Sequence, residues 1–211
     1  MKLTRTANAG IYLSTEGKTL LVDGVCEELP PYLGTPSTLR QQLSERFPDI
    51  VAFTHRHADH YCAAYAEAYA ERTLRSVIGP ESFPKEGGCV QLGNIRLTAV
   101  PTRHIGKAGD VPHMSYIIEG EKCLWVVGDA APMQWRGRTD LPKPQVLVVP
   151  FAYAITTAAW QLTKSLGAEK IVLLHMPEEG NDPCGLWQQV RQTAGGDTSL
   201  LIPKVGETLN L

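Results

Sequence analysis

Thr54-His55-Arg56-His57-Ala58-Asp59-His60-Tyr61 is the most informative stretch of this chain. It follows residues 49–54, an apolar run that predicts a buried strand, and it leads into the alanine-rich residues 60–72, which predict a helix. His55 and His57 are two residues apart, so in extended backbone both imidazoles leave the chain on the same side and can converge on one ion. Asp59 and His60 can turn toward a second ion as the helix starts. Four such donors within six residues fit neither a hydrophobic core nor a solvated face, and imidazole and carboxylate are the usual donors for zinc and related metals.

On the N-terminal side, residues 11–14 and 18–23 read as two strands around the turn Glu16-Gly17. Residues 36–47 read as a helix with Leu39, Leu43 and Phe47 along one face. On the C-terminal side, residues 76–79, 90–92 and 95–100 are β-rich, and residues 115–118 and 122–127 form a second hairpin around Glu119-Gly120-Glu121. Strands at 146–149, 170–174 and 199–202 then alternate with helices at 156–166 and 185–193. Hairpins mixed with βα units predict an α/β or α+β protein whose sheets are covered by helices. A length of 211 residues, with no repeat and no dividing linker, predicts one domain over residues 1–211. Three further ligand-type residues stand where strands should end: His104, Asp129 and His175.

Composition removes other function classes. Charged residues are 20% of the chain and the net charge is -2, which favours neither a nucleic acid nor a membrane surface as partner. The longest apolar stretch, residues 146–160, is interrupted by Pro150 and falls short of the roughly 20 residues a spanning helix needs. The first residues lack the apolar core of a secretory signal, and the five cysteines are odd in number with no Cys-x-x-Cys pair. A cytoplasmic protein with free thiols is the expectation.

The order His-x-His-x-Asp-His, then single His, Asp and His residues each after a predicted strand, resembles the metallo-β-lactamase superfamily. Asp23 in Leu20-Leu21-Val22-Asp23-Gly24 matches that superfamily's early structural aspartate, and the likeness runs from about Gly10 to the C-terminus. The resemblance implies a four-layer αβ/βα sandwich with a metal site at one edge. Carried over by position, it implies that His55, His57 and His104 hold a first ion, that Asp59, His60 and His175 hold a second, and that Asp129 bridges both. It gives Asp23 the task of orienting ligands, against the plainer reading of a strand-end turn residue. No cysteine or arginine replaces His60 or Asp129, which disfavours antibiotic hydrolysis. His57 stands where the oxygen- and nitric-oxide-reducing members carry glutamate. The ending, with residues 146–150, 170–175 and 202–209, is similar to the compact branch that includes ascorbate-6-phosphate lactonase.

The implied function is a metal-dependent hydrolase with two divalent ions, zinc first and manganese or iron as alternatives, whose bridging hydroxide cleaves a small ester, lactone or phosphoester. Asp59 and Asp129 would serve the catalytic site as ligands. The leaving group would take its proton from a metal-bound water, from His113 in a loop before a strand, or from Tyr153 beyond a strand end; packing is the other reading of both side chains. Trp135 could overhang the site or belong to the core, and Lys107, Arg136 and Arg138 are available for a phosphate. A non-catalytic metal-binding or regulatory protein and a di-iron redox protein are the competing classes. The expected partner is a small-molecule substrate, with a homo-oligomer left open.

Overall fold

The computed structural model describes residues 1–106 and 110–211. The first half runs β1 (Lys2–Arg5), β2 (Ile11–Thr15), β3 (Lys18–Val22), α1 (Ser37–Glu45), β4 (Ile50–Ala52), α2 (Ala63–Thr73), β5 (Gly88–Leu92) and β6 (Ile95–Arg103). The second runs β7 (Pro112–Glu119), β8 (Cys123–Val126), β9 (Val146–Pro150), α3 (Thr157–Ser165), β10 (Lys170–Leu174), α4 (Leu186–Ala194), β11 (Leu200–Leu201) and β12 (Thr208–Asn210). No helix among the described residues is long and apolar enough to cross a membrane.

The strands form two sheets, one of five in the order β12-β1-β2-β3-β4 and one of seven in the order β11-β10-β9-β8-β7-β6-β5. Side-chain alternation explains how they stack, because neighbouring residues of a strand serve opposite faces. Leu20 and Val22 of β3 join Leu124, Val126, Val146, Val148, Val172 and Leu174 of the larger sheet in one apolar layer between the sheets. Leu21, between them in sequence, faces outward and packs with Val51, Leu43, Tyr65 and Tyr69, which places α1 and α2 on the outer face of the smaller sheet. Trp125, Leu147, Val149, Ile171 and Leu173 are the outward set of the larger sheet and meet Trp160, Val190 and Ala194 of α3 and α4. The result is the four-layer αβ/βα sandwich that the resemblance implies. A strand buried on both faces must be apolar at every position, and β9, Val-Leu-Val-Val-Pro, is buried throughout.

Several boundaries differ from the sequence reading. The helix expected from residue 60 begins at Ala63, because the N–H groups of His60 and Tyr61 both donate to the His57 carbonyl (3.0 and 2.9 Å) and residues 57–60 form a separate turn. Residues 76–79 contribute only a bridge, Ala52 to Ile78, rather than a strand. The strand expected from residue 115 begins at Pro112, where it pairs with Arg103. β1 and β12 are additions, antiparallel to each other with Lys2 opposite Asn210.

Candidate metal centre

The seven ligand-type residues lie beyond the ends of β4, β6, β8 and β10, so both sheets contribute to one cluster. His55, His57, Asp59 and His60 come from the segment after β4 of the smaller sheet; His104, Asp129 and His175 come from the larger one. Three overlapping groups form: His55, His57 and His104; His55, His60 and Asp129; and Asp59, His60 and His175. Within each group the nitrogen and oxygen atoms lie within 4.8 Å of one another. Asp129 reaches both sides, with Oδ2 at 3.5 Å from His104 Nε2 and 3.6 Å from His175 Nε2, and Oδ1 at 3.6 Å from His60 Nε2.

The hydrogen bonds around the rings fix which nitrogen faces the cluster. His104 Nδ1–H donates to the Ile105 carbonyl (2.7 Å), leaving the Nε2 lone pair directed at Asp129. His60 Nδ1–H donates to Asp23 Oδ2 (2.9 Å), leaving Nε2 toward His175 Nε2 at 3.4 Å. Thr54 donates its hydroxyl to Asp23 Oδ2 (2.8 Å) and therefore accepts from His55 Nδ1–H (3.0 Å), so His55 Nε2 faces His57 Nδ1 at 3.0 Å. Ring nitrogens converging this closely need a proton or a metal ion between them. His104 Nε2 and Asp129 Oδ1 are buried without a hydrogen-bond partner among the described residues, which is costly unless a cation satisfies them. The donor set therefore fits divalent metal ions with a preference for nitrogen and oxygen.

Electrostatics point the same way. Burial raises the Asp129 carboxyl, but His175, His60 and His104 outweigh it and hold the group well below the usual carboxylate range. Burial lowers His60, but Asp23 and Asp129 win and raise it, so without a cation the ring also holds a proton on Nε2, the position a metal ion would take. Burial depresses His55 and His57, keeping both neutral and able to offer lone pairs.

The backbone turns sharply at two of these strand ends. Asp23 follows β3 at φ 51° and His175 follows β10 at φ 60°, left-handed conformations that are uncommon outside glycine. Gly128, beside Asp129, has φ 56°, and a Cβ there would lie 2.7 Å from the Thr54 side chain. Glycine lets the β8 end approach the β4 end closely enough for Asp129 to join the histidines.

Both protein candidates for proton donation are corrected. His113 is not in a loop but buried in β7: its Nδ1–H donates to Thr102 Oγ1 (2.7 Å) and its Nε2 accepts from the Asp129 N–H (3.0 Å). Burial pushes it down to about 3, so the ring is neutral at neutral pH and its one N–H is taken up by Thr102. Tyr153 is fully buried, donates to the Ala130 carbonyl (2.8 Å) and accepts from Trp135 Nε1–H (2.6 Å), while burial raises its phenol far above the usual range. That contact also places Trp135 in the core rather than over the site. Arg138 is engaged by Asp140 through two hydrogen bonds (2.7 and 2.8 Å), and Lys107 lies outside the described residues.

Other side chains at the centre escape a sequence reading. Asn8 is fully buried against Asp59 and His175. Tyr32 and Phe151 stand nearly perpendicular to the His175 imidazole, with centroids 4.9 and 5.9 Å away. None of them belongs to a motif; Asn8, for example, lies 167 positions from His175.

Comparison with known proteins identifies the family. A family model described as a beta-lactamase superfamily domain matches residues 2–175, a span that holds all seven ligand-type residues. A metal-dependent hydrolase of Salinibacter ruber is 27% identical over 199 residues, covering 83% of this chain and 84% of its own. Another, from Methanopyrus kandleri, is 22% identical over 99% of both chains. In three dimensions the fold matches that of an isothiocyanate hydrolase from Delia radicum gut bacteria, with a TM-score of 0.68 at 18% identity, covering 100% of this chain and 99% of that one. On the strength of its matched span and its four-layer fold, this chain belongs to the metallo-β-lactamase superfamily.

Proposed function

We propose that this metal-dependent hydrolase holds two divalent metal ions, zinc first among them, and cleaves a small ester, lactone or phosphoester. The observation that carries the reading is the pair of ligand groups, His55, His57 and His104 against Asp59, His60 and His175, with the oxygens of Asp129 reaching toward both. Those two groups would hold one ion each, and Asp129 would be shared. Divalent ions held there would supply a nucleophile at neutral pH by lowering the pKa of water from 15.7 to about 7, and would polarise the oxygen of the electrophile.

The chain's own residues would set the geometry. Asp23 and Thr54 fix the tautomers of His60 and His55, so that each ring offers Nε2 to the centre. The Asp129 N–H bond to His113 pins the carboxylate-bearing turn, giving His113 a positioning role instead of a proton-donating one. Tyr32 and Phe151 flank His175 and would give the second group an apolar wall, which suits a compact carbon skeleton better than a polyanion. The gap-free ligand set argues against a non-catalytic relic, and His57 in place of glutamate argues against the di-iron redox class.

The test is metal content per chain by inductively coupled plasma mass spectrometry, on wild type and Asp129→Ala, followed by a screen of lactones, carboxylic esters, phosphodiesters and an aryl isothiocyanate. About two ions per chain, falling in the variant, with turnover of one substrate class, supports the reading. Absence of metal after chelator-free purification and after reconstitution would overturn it.

A further inference from the structure

Asn8 lies in the turn between β1 and β2 and has no solvent-exposed surface. Its Nδ2–H donates to Asp59 Oδ2 at 3.1 Å, and Nδ2 stands 3.2 Å from each ring nitrogen of His175. Its main-chain carbonyl accepts the His175 N–H at 3.0 Å. One residue thus grips Asp59 through its side chain and His175 through its backbone carbonyl, with the amide group set against the His175 ring. Among the described hydrogen bonds it reaches none of His55, His57 or His104.

The amide orientation follows from electrostatics. Reversed, it would set a carbonyl oxygen against the Asp59 carboxylate; as it stands, Nδ2–H faces the carboxylate and Oδ1 is left without a partner among the described residues. The turn that carries Asn8 is itself held in place. Thr6 N–H donates to the Gly10 carbonyl (2.8 Å), and a Cβ on Gly10 would come within 2.6 Å of the Asp23 carbonyl and 2.7 Å of Gly24 Cα. The turn is therefore pressed against the same Asp23 that fixes His60, and Asp59, His60 and His175 are all braced from this one corner.

We infer that Asn8 is a positioning residue that holds Asp59 and His175 as a pair for the second ion, and so sets the affinity of that position independently of the first. The inference rests on the two-ion reading above. Loss of a hydrogen-bonding group behind a metal ligand typically weakens metal affinity by roughly 10–100-fold. Here that loss should fall on one ion only, which a general loosening of the fold would not produce.

The test is zinc titration in competition with a chromophoric chelator, on wild type, Asn8→Ala and Asn8→Leu, the leucine keeping most of the buried volume without a donor. The expected result is a second ion weakened by about 10–100-fold with the first unchanged, in chains whose circular dichroism matches wild type. Unchanged affinity for both ions in natively folded variants, or equal weakening of both, would overturn the inference. A measurement on wild type stands independent of variant folding: the Asn8 side-chain amide resonance should shift with only one of the two equivalents of zinc, and a shift shared equally by both, or none, overturns it. Wild type that binds fewer than two ions overturns instead the two-ion reading beneath it, so the two failures are separable.

Discussion

Replacing Asp23 with alanine should destabilise the chain more than almost any other single change near the centre. Its carboxylate is 1% exposed and accepts three hydrogen bonds: from Thr54 N–H (2.7 Å), Thr54 Oγ1–H (2.8 Å) and His60 Nδ1–H (2.9 Å). A buried donor left without an acceptor costs about 1–3 kcal/mol. The threonine hydroxyl can rotate away, so the two remaining donors set the loss at about 2–6 kcal/mol, a large part of the 5–15 kcal/mol typical of a whole domain. Alanine also gains nothing from the left-handed backbone at φ 51°, which it tolerates less well than aspartate. Asp23→Asn keeps a carbonyl oxygen for Thr54 N–H and accepts that backbone, so its loss should stay near 1–2 kcal/mol. Its NH2 group would face His60 Nδ1, drive the ring proton to Nε2 and remove the lone pair aimed at the cluster. The assay is urea unfolding at pH 7 on metal-stripped protein, read by circular dichroism, with midpoint and slope fitted separately. An Asp23→Ala variant within about 1 kcal/mol of wild type at unchanged slope would refute the reasoning, because the donors it strands would then have found partners elsewhere.

Other outcomes follow from residues already described. Tyr153→Phe should cost about 1–3 kcal/mol in thermal or urea unfolding while leaving metal content and turnover intact; lost turnover at native stability would return Tyr153 to the chemistry. Gly128→Ala should lower stability by about 2–3 kcal/mol, seen as a lower melting temperature, since both φ 56° and the 2.7 Å approach to Thr54 oppose a Cβ. The buried Cys26 thiol is pushed up to about 11 by burial, from 9.0. The folded chain therefore keeps that proton where the unfolded chain loses it, so stability is full below pH 9, falls as pH rises toward 11, and falls by up to ~1.4 kcal/mol per pH unit for this one group. Cys26→Ala should flatten that segment of the pH–stability curve, and in native protein a thiol reagent should reach the exposed Cys89 and Cys184 but not Cys26.

Legibility in the sequence followed the range of the interaction that fixed each element. β10 is read to the residue, Lys170–Leu174, since a continuous apolar run between a lysine and a histidine is self-delimiting. The β2–β3 hairpin is equally local: Glu16 and Gly17 adopt φ 50° and 72°, the pair of left-handed residues that a tight two-residue turn demands. The clustering of seven ligand-type residues is visible because donor chemistry and strand ends are both local signals. What escapes is set at a distance. His113 looks like loop because its strand is extended by pairing of Pro112 with Arg103, and its burial depends on Thr102 and Asp129. β1 and β12, four and three residues long, have no periodicity to betray them and exist by pairing with each other and with β2. Asn8 carries no motif, and only the folded turn sets it between Asp59 and His175.

The pairing of β1 with β12 has a consequence for vectorial synthesis. Lys2 finds its partner in Asn210, so β1 can pair with β2 early, yet its other edge stays bare until residues 208–210 have left the ribosome. At about 5–20 residues per second that interval lasts on the order of ten seconds or more. Throughout it, the Lys2–Arg5 edge offers unpaired N–H and C=O groups to any neighbouring nascent chain, the template from which strand-exchanged dimers and aggregates grow. Closing a loop of this span costs entropy only as the logarithm of its length, so the edge is slow to cover rather than weak once covered. Truncation just before Thr208 would make that transient edge permanent, and self-association through β1 would be its signature.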